Sequence, residues 1–232
     1  MSRYLLLTGL ACMLACLCGK VRAEVNFGEV NLGIVSDYRY RGLSLTDGDP
    51  ALQAGFAWDH EDGWYAGLFA AGTRIGGEHG LQAVSYLGRA WRLDSGRSWE
   101  AGIQHVALTK HADDYSELYL GLISDRWSAR VYYQPDAFGD HGPTAYTEFD
   151  ASIGLGGRWR LLGHLGAGWR GDPGPYVDRV RYDGRLGVGV ALGAVHLHLQ
   201  RVRTEGRGAY PAYRLDPDAA DAGWVLGAAW TW

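Results

Sequence analysis

The sequence closes on Trp224-Val225-Leu226-Gly227-Ala228-Ala229-Trp230-Thr231-Trp232, one alternating stretch that stops on an aromatic. Trp224, Leu226, Ala228, Trp230 and Trp232 share one face, while Val225, Gly227, Ala229 and Thr231 share the other, the period of two that a strand imposes. A strand of a soluble sandwich usually runs on into a polar tail, because a terminal Trp left in water gains nothing. Bulky apolar residues on one face and small ones opposite suit a barrel wall standing between lipid and lumen. Working outward from this strand, the rest of the chain must show the same construction.

At the other end, residues 1–23 read as a secretory signal. Arg3 supplies the positive start, residues 4–17 the short apolar core, and Val21-Arg22-Ala23 the small-residue exit. An uncleaved membrane helix is disfavoured because the apolar stretch is too short to cross a bilayer comfortably. A lipoprotein reading through Met13-Leu14-Ala15-Cys16 lacks the usual Leu at its first position. Cys12, Cys16 and Cys18 are the only cysteines, so a chain starting at Glu24 has none. Disulfides, Fe–S clusters, zinc ribbons and thiol catalysis are then excluded. Loss of Arg3, Lys20 and Arg22 leaves 19 Lys and Arg against 26 Asp and Glu, a formal charge of −7. That charge excludes nucleic acid as an expected partner.

Period-two alternation recurs from Glu29 to Trp232, and helical periodicity is nowhere sustained. Strands are predicted over 29–41, 51–59, 64–72, 82–92, 99–109, 115–124, 127–134, 146–155, 159–169, 180–192, 195–202 and 223–232. Twelve is an even number, and most of these stretches are near the length needed to cross a bilayer at a tilt. Their connections alternate between longer and shorter. Links over 42–50, 73–80, 110–114, 135–145, 170–179 and 203–222 are separated by turns at 61–63, 93–98, 125–126, 156–158 and 193–194. Long external loops and short periplasmic turns are the asymmetry of outer-membrane barrels. A lipocalin-type soluble barrel lacks that bias and fills its interior with apolar residues. The predicted fold is therefore all-β: one antiparallel transmembrane barrel of about twelve strands spanning 24–232, both ends in the periplasm.

Several strands show which face looks inward. Ser116, Leu118, Leu120 and Leu122 oppose Tyr115, Glu117, Tyr119 and Gly121. Thr147, Phe149, Ala151, Ile153 and Leu155 oppose Tyr146, Glu148, Asp150 and Ser152. Trp159, Leu161, Leu165 and Trp169 oppose Arg160 and His164, and Tyr182, Leu186, Val188, Val190 and Leu192 oppose Arg181, Asp183 and Arg185. The third and fourth strands are ambiguous and are left unoriented.

The run Asn31-Leu32-Gly33-Ile34-Val35-Ser36-Asp37-Tyr38-Arg39-Tyr40-Arg41-Gly42-Leu43-Ser44, with Asp47-Gly48-Asp49-Pro50-Ala51-Leu52-Gln53-Ala54-Gly55 and Trp64-Tyr65-Ala66-Gly67, resembles the start of the TorF family of putative porins. The resemblance covers about the first third of the mature chain. It implies an outer-membrane barrel of the porin type and transfers neither a substrate nor catalytic residues. Trp230 and Trp232 resemble the C-terminal signal that outer-membrane barrels present to their insertion machinery.

The charged residues predicted to line the lumen are Asp37, Arg39 and Arg41 on the first strand, with Glu117, Arg130, Glu148, Asp150, Arg160, Arg181, Asp183 and Arg185. A charge facing lipid at mid-bilayer costs roughly 2–4 kcal/mol, so these side chains belong inside. There they form either a salt-bridge ladder that braces the wall or a charged constriction that selects solutes. Arg reaches farther towards the axis than Asp, which tips the expectation slightly towards anionic or zwitterionic solutes. His196 and His198 lie two apart on one face, but zinc needs further ligands and none is near in sequence, so no metal is expected. Ser152 and His164 fall on adjacent strands facing inward, the raw material of a barrel hydrolase, yet no motif surrounds them. Residues 203–222 read as a recognition loop, a plug or a tether.

These readings converge on a Gram-negative outer-membrane channel that passes small polar solutes passively through a narrow charged lumen. It needs no cofactor, catalyses no reaction and meets outer-membrane lipids and the insertion machinery. A closed structural or adhesive barrel is the alternative, and a lipid or peptide hydrolase the third.

Overall fold

The computed structural model describes residues 28–109, 114–135, 142–173, 178–206 and 222–232. The signal segment 1–23 and most of 203–222 lie outside the described residues. Among the described residues there are fourteen strands: β1 (Glu29–Val35), β2 (Arg39–Tyr40), β3 (Leu43–Ser44), β4 (Ala51–Asp59), β5 (Trp64–Ile75), β6 (Glu78–Arg92) and β7 (Ser98–Leu108). They continue with β8 (Tyr115–Ile123), β9 (Trp127–Gln134), β10 (Thr144–Gly156), β11 (Trp159–Arg170), β12 (Val180–Leu192), β13 (Val195–Glu205) and β14 (Ala222–Thr231).

Twelve of them close into one antiparallel barrel in sequence order, and β2 and β3 form a separate two-stranded sheet. The seam is β1, which pairs with β14 through Leu32 opposite Trp230 and with β4 through Leu32 opposite Ala54. Trp232 remains in this ladder, since its N–H donates to Val30 O at 3.1 Å and its carbonyl accepts from Val30 N at 3.2 Å. Among the described residues every strand of the wall is paired on both sides, which a wall surrounded by hydrocarbon requires.

The two faces of the wall differ as the alternation demands. Leu52, Leu120, Leu165, Leu186, Leu226 and Trp224 stand exposed on the outside, while Gln82, Gln104, Glu100 and Glu117 are buried inside. A soluble protein would not leave so continuous an apolar exterior in water; a bilayer accepts it. Trp64, Trp91 and Trp99 stand near the end with the short turns, as do Trp159 and Trp230, in the manner of an interfacial girdle.

Two predicted boundaries are corrected. The stretch 73–80 is not a long loop: β5 and β6 extend until a two-residue turn, Gly76-Gly77, joins them, with φ of 59° and 83°. Both angles are positive, as the tight hairpin turn that matches strand twist requires. More consequentially, the first strand does not run to residue 41. It ends at Val35, and the chain turns into the barrel, so residues predicted as a wall and a polar external link are an internal plug.

Candidate functional site

The plug is a hairpin. β2 and β3 pair through Arg39 opposite Ser44 and Tyr40 opposite Leu43, leaving Arg41-Gly42 as the tip. Arg41 has φ 50° and Gly42 φ 79°. Only Gly adopts that region freely, and the small cost at Arg41 must be offset by its contacts. A Cβ on Gly42 would sit 2.5 Å from Asp183 Cβ and 2.7 Å from Thr204 Oγ1, so the tip is pressed against β12 and β13 of the wall.

Asp37 organises the base of the hairpin. Its carboxylate accepts from Arg39 Nε at 2.6 Å, Ser44 Oγ at 2.5 Å and Thr46 Oγ1 at 3.2 Å. Thr46 Oγ1 also accepts from Tyr38 N at 3.0 Å, and Leu45 N donates to Tyr38 O at 2.8 Å. Tyr38, Tyr40, Leu43 and Leu45 are all buried, in one apolar cluster with Phe69, Ala71, Ile75, Val84, Val106 and Leu108 of the wall. These contacts orient β5 and β6. Phe69, Ala71 and Ile75 of β5 and Val84 of β6 are inward and apolar because they face the hairpin rather than water, which is why sequence alone did not orient these strands.

At the tip, Arg41 donates to Glu117 through both terminal nitrogens, at 2.8 and 2.6 Å. Gln104 Nε2 adds a 2.5 Å bond to the same carboxylate. The guanidinium lies 4.4, 4.8 and 5.1 Å from the ring centres of Tyr146, Tyr132 and Tyr40. A planar, delocalised cation between a carboxylate fork and aromatic faces is a task lysine would not perform equally. Burial pushes the Tyr40 hydroxyl up to about 12, which keeps it a neutral donor and acceptor beside the ion pair.

The wall continues the network. Arg130 pairs with Glu100 and stands 3.7 Å from Glu148. Tyr65 donates to Glu100 at 2.6 Å, Tyr119 to Tyr65 at 2.8 Å, and Tyr132 to Glu148 at 2.9 Å. His164 lies between two carboxylates, Nδ1 at 2.8 Å from Asp150 and Nε2 at 3.0 Å from Asp183. Tyr146 donates to Asp183 at 2.9 Å, and Arg185 stands 3.8 Å from Asp150. Around them is a void lined by Tyr40, Arg41, Glu148, Asp150, His164 and Arg185. It offers about 40 Å³ to the centres of water molecules, room for a few waters and little more.

Of the residues singled out from sequence, Glu117, Arg130, Glu148, Asp150, Asp183 and Arg185 lie on the inner wall and meet in this network. Asp37, Arg39 and Arg41 are inside as well, but on the hairpin and not on the first strand. Arg160 stands apart near a turn, donating to Ser152 Oγ at 2.6 Å, and Arg181 is half-buried near the other end of β12. Ser152 accepts the Arg160 bond, while both ring nitrogens of His164 are taken up by Asp150 and Asp183. Trp230 and Trp232 face outward with their rings edge to face at 6.2 Å. Sequence reading missed Glu100 and Gln104 of β7 and Tyr65 of β5; the period of two in β7 was a usable signal for the first two, whereas Tyr65 lies on a strand that sequence left unoriented.

Residues 23–85 match a family described as a bacterial protein of unknown function (Gcw_chp). No curated protein matches the sequence. Among solved structures, the NanC porin is similar at a TM-score of 0.54 and 11% identity, covering 88% of this chain and 98% of that one. The KdgM porin is similar at 0.52 and 8% identity, covering 88% and 97%. An outer membrane channel from Pseudomonas putida F1 gives 0.52 and 11% identity, covering 92% and 98%. At such identities the likeness is one of fold, and the shared fold is a barrel of the outer-membrane channel type.

Proposed function

We propose that this protein is an integral outer-membrane channel for small polar solutes whose lumen is narrowed by the hairpin of residues 36–50. The observation that carries the reading is the contrast between an apolar exterior and a lumen whose middle is a polar and charged network. The hairpin crosses that lumen as its own two-stranded sheet, outside the ladder of the wall. An obstruction built this way can shift without opening the barrel. Likeness to the NanC and KdgM porins supports passage as the general activity, and the TorF resemblance points the same way. Within this reading Arg39 and Arg41 brace the hairpin first, because each already has a carboxylate partner.

The small size of the void favours a second reading, a closed structural barrel. Planar-bilayer recording of the refolded protein separates the two. Discrete conductance steps support the channel. A silent membrane containing verified folded barrel, for both the natural protein and a Glu117→Gln variant, supports the closed barrel.

A further inference from the structure

We propose that Glu148, Asp150 and His164 form a binding site for a divalent transition-metal ion of the zinc class, set in the lumen beside the hairpin tip. One potential ligand atom from each of the three lies within 4.8 Å of the others. One imidazole nitrogen and two carboxylate oxygens, completed by water, is a donor set that suits zinc. β10 brings Glu148 and Asp150 to one face two residues apart, and the register sets Asp150 directly opposite His164 of β11.

Two further features point to a cation. Asp150 is 5% exposed, yet its Oδ2 is buried without a hydrogen-bond partner, a costly condition for a carboxylate oxygen. Asp183 holds His164 by Nε2, leaving Nδ1 on the side of Asp150. A carboxylate that accepts the far N–H of a histidine fixes its tautomer and strengthens the other nitrogen as a ligand. Metal entry would take the place of the proton between Nδ1 and Asp150 and release it to solvent. Opposing this are Arg185, 3.8 Å from Asp150, and Arg130, 3.7 Å from Glu148. Arg130 is also paired with Glu100, and Arg41 with Glu117. With His164 protonated on both nitrogens, Glu148, Asp150 and Asp183 outnumber Arg185 and His164 by three to two, and the surplus of negative charge widens once the Nδ1 proton leaves.

The test is calorimetric titration of the refolded, tag-free barrel in detergent with zinc alone. Saturable one-to-one binding is expected, weakened at least 100-fold by Asp150→Asn and about 10–100-fold by Asp183→Asn. His196→Gln should change nothing. Heat-modifiable migration checks folding of each variant, and should Asp150→Asn not fold, Glu148→Gln at its less buried position reports instead. Absence of saturable binding to the folded natural protein overturns the site. So does binding that survives both Glu148→Gln and Asp150→Asn, or binding that depends on His196.

Discussion

Glu117→Gln tests how the hairpin is held. The substitution preserves shape but removes the charge to which both terminal nitrogens of Arg41 donate, with side chains 6% and 0% exposed. Breaking one side of a buried pair typically costs about 3–5 kcal/mol, because a charge is left buried and uncompensated. The three tyrosine rings still face the guanidinium, each worth about 0.5–2 kcal/mol, but they did so before and do not offset the loss. The barrel ladder is untouched. The cost therefore falls on docking of the tip and corresponds to roughly two to three and a half orders of magnitude in its docked population. A single cysteine at Leu45, a hairpin residue fully buried against the wall, reads that population by its rate of thiol labelling. The three natural cysteines all precede residue 24, so the background is clean in a processed chain. Labelling of Leu45→Cys should accelerate on the order of 100-fold or more when Glu117→Gln is added. A rate within twofold of the single variant, both proteins migrating as folded barrels, would refute the view that this ion pair latches the plug.

Four further outcomes are expected. Gly42→Val places a branched side chain where a Cβ already meets Asp183 at 2.5 Å and φ is 79°; Leu45→Cys labelling should rise as it does for Glu117→Gln, with the barrel still heat-modifiable. Gly102→Leu, where a Cβ would lie 2.4 Å from the Tyr119 ring, should cost about 1–3 kcal/mol and lower the temperature at which the barrel unfolds on heating. Trp232→Asp should stop accumulation of assembled barrel in the outer membrane of a Gram-negative host, because the last strand forms the seam; normal yield of heat-modifiable protein would disprove it. For topology, a tag inserted between Glu205 and Ala222 should be reached from outside intact cells and one at Asp125-Arg126 only after the membrane is opened, the reverse pattern being fatal to the strand parity.

The wall was legible because its physics is periodic. Strands 115–124, 146–155 and 180–192 place Leu, Phe or Tyr outward and charges inward, and the structure keeps those faces. A segment enclosed on every side escapes such reading. Asp37-Tyr38-Arg39-Tyr40-Arg41 alternates like a wall strand, but all five residues are buried, so neither face meets lipid and the alternation no longer marks inside from outside. Nothing local separates a strand that continues from one that stops at Val35 and turns inward; the difference lies in where distant residues wait to receive it.

The plug nevertheless leaves a trace in the strands it touches. Phe69, Ala71 and Ile75 of β5 and Val84 of β6 point into a lumen that elsewhere holds Glu100, Arg130 and Asp150. Apolar residues facing both ways on adjacent strands mean that something apolar occupies the interior beside them, since water there would make those side chains unfavourable. The long first link, with Leu43 and Leu45, was the part of the chain able to supply it. The ion pairs follow a different rule. Parity placed Glu117 inside, but its partner Arg41 is 76 residues away in sequence and reaches it only across the closed barrel. Closure decides which charges meet, and here it brings the carboxylate of Glu117 to a hairpin that lies inside the barrel.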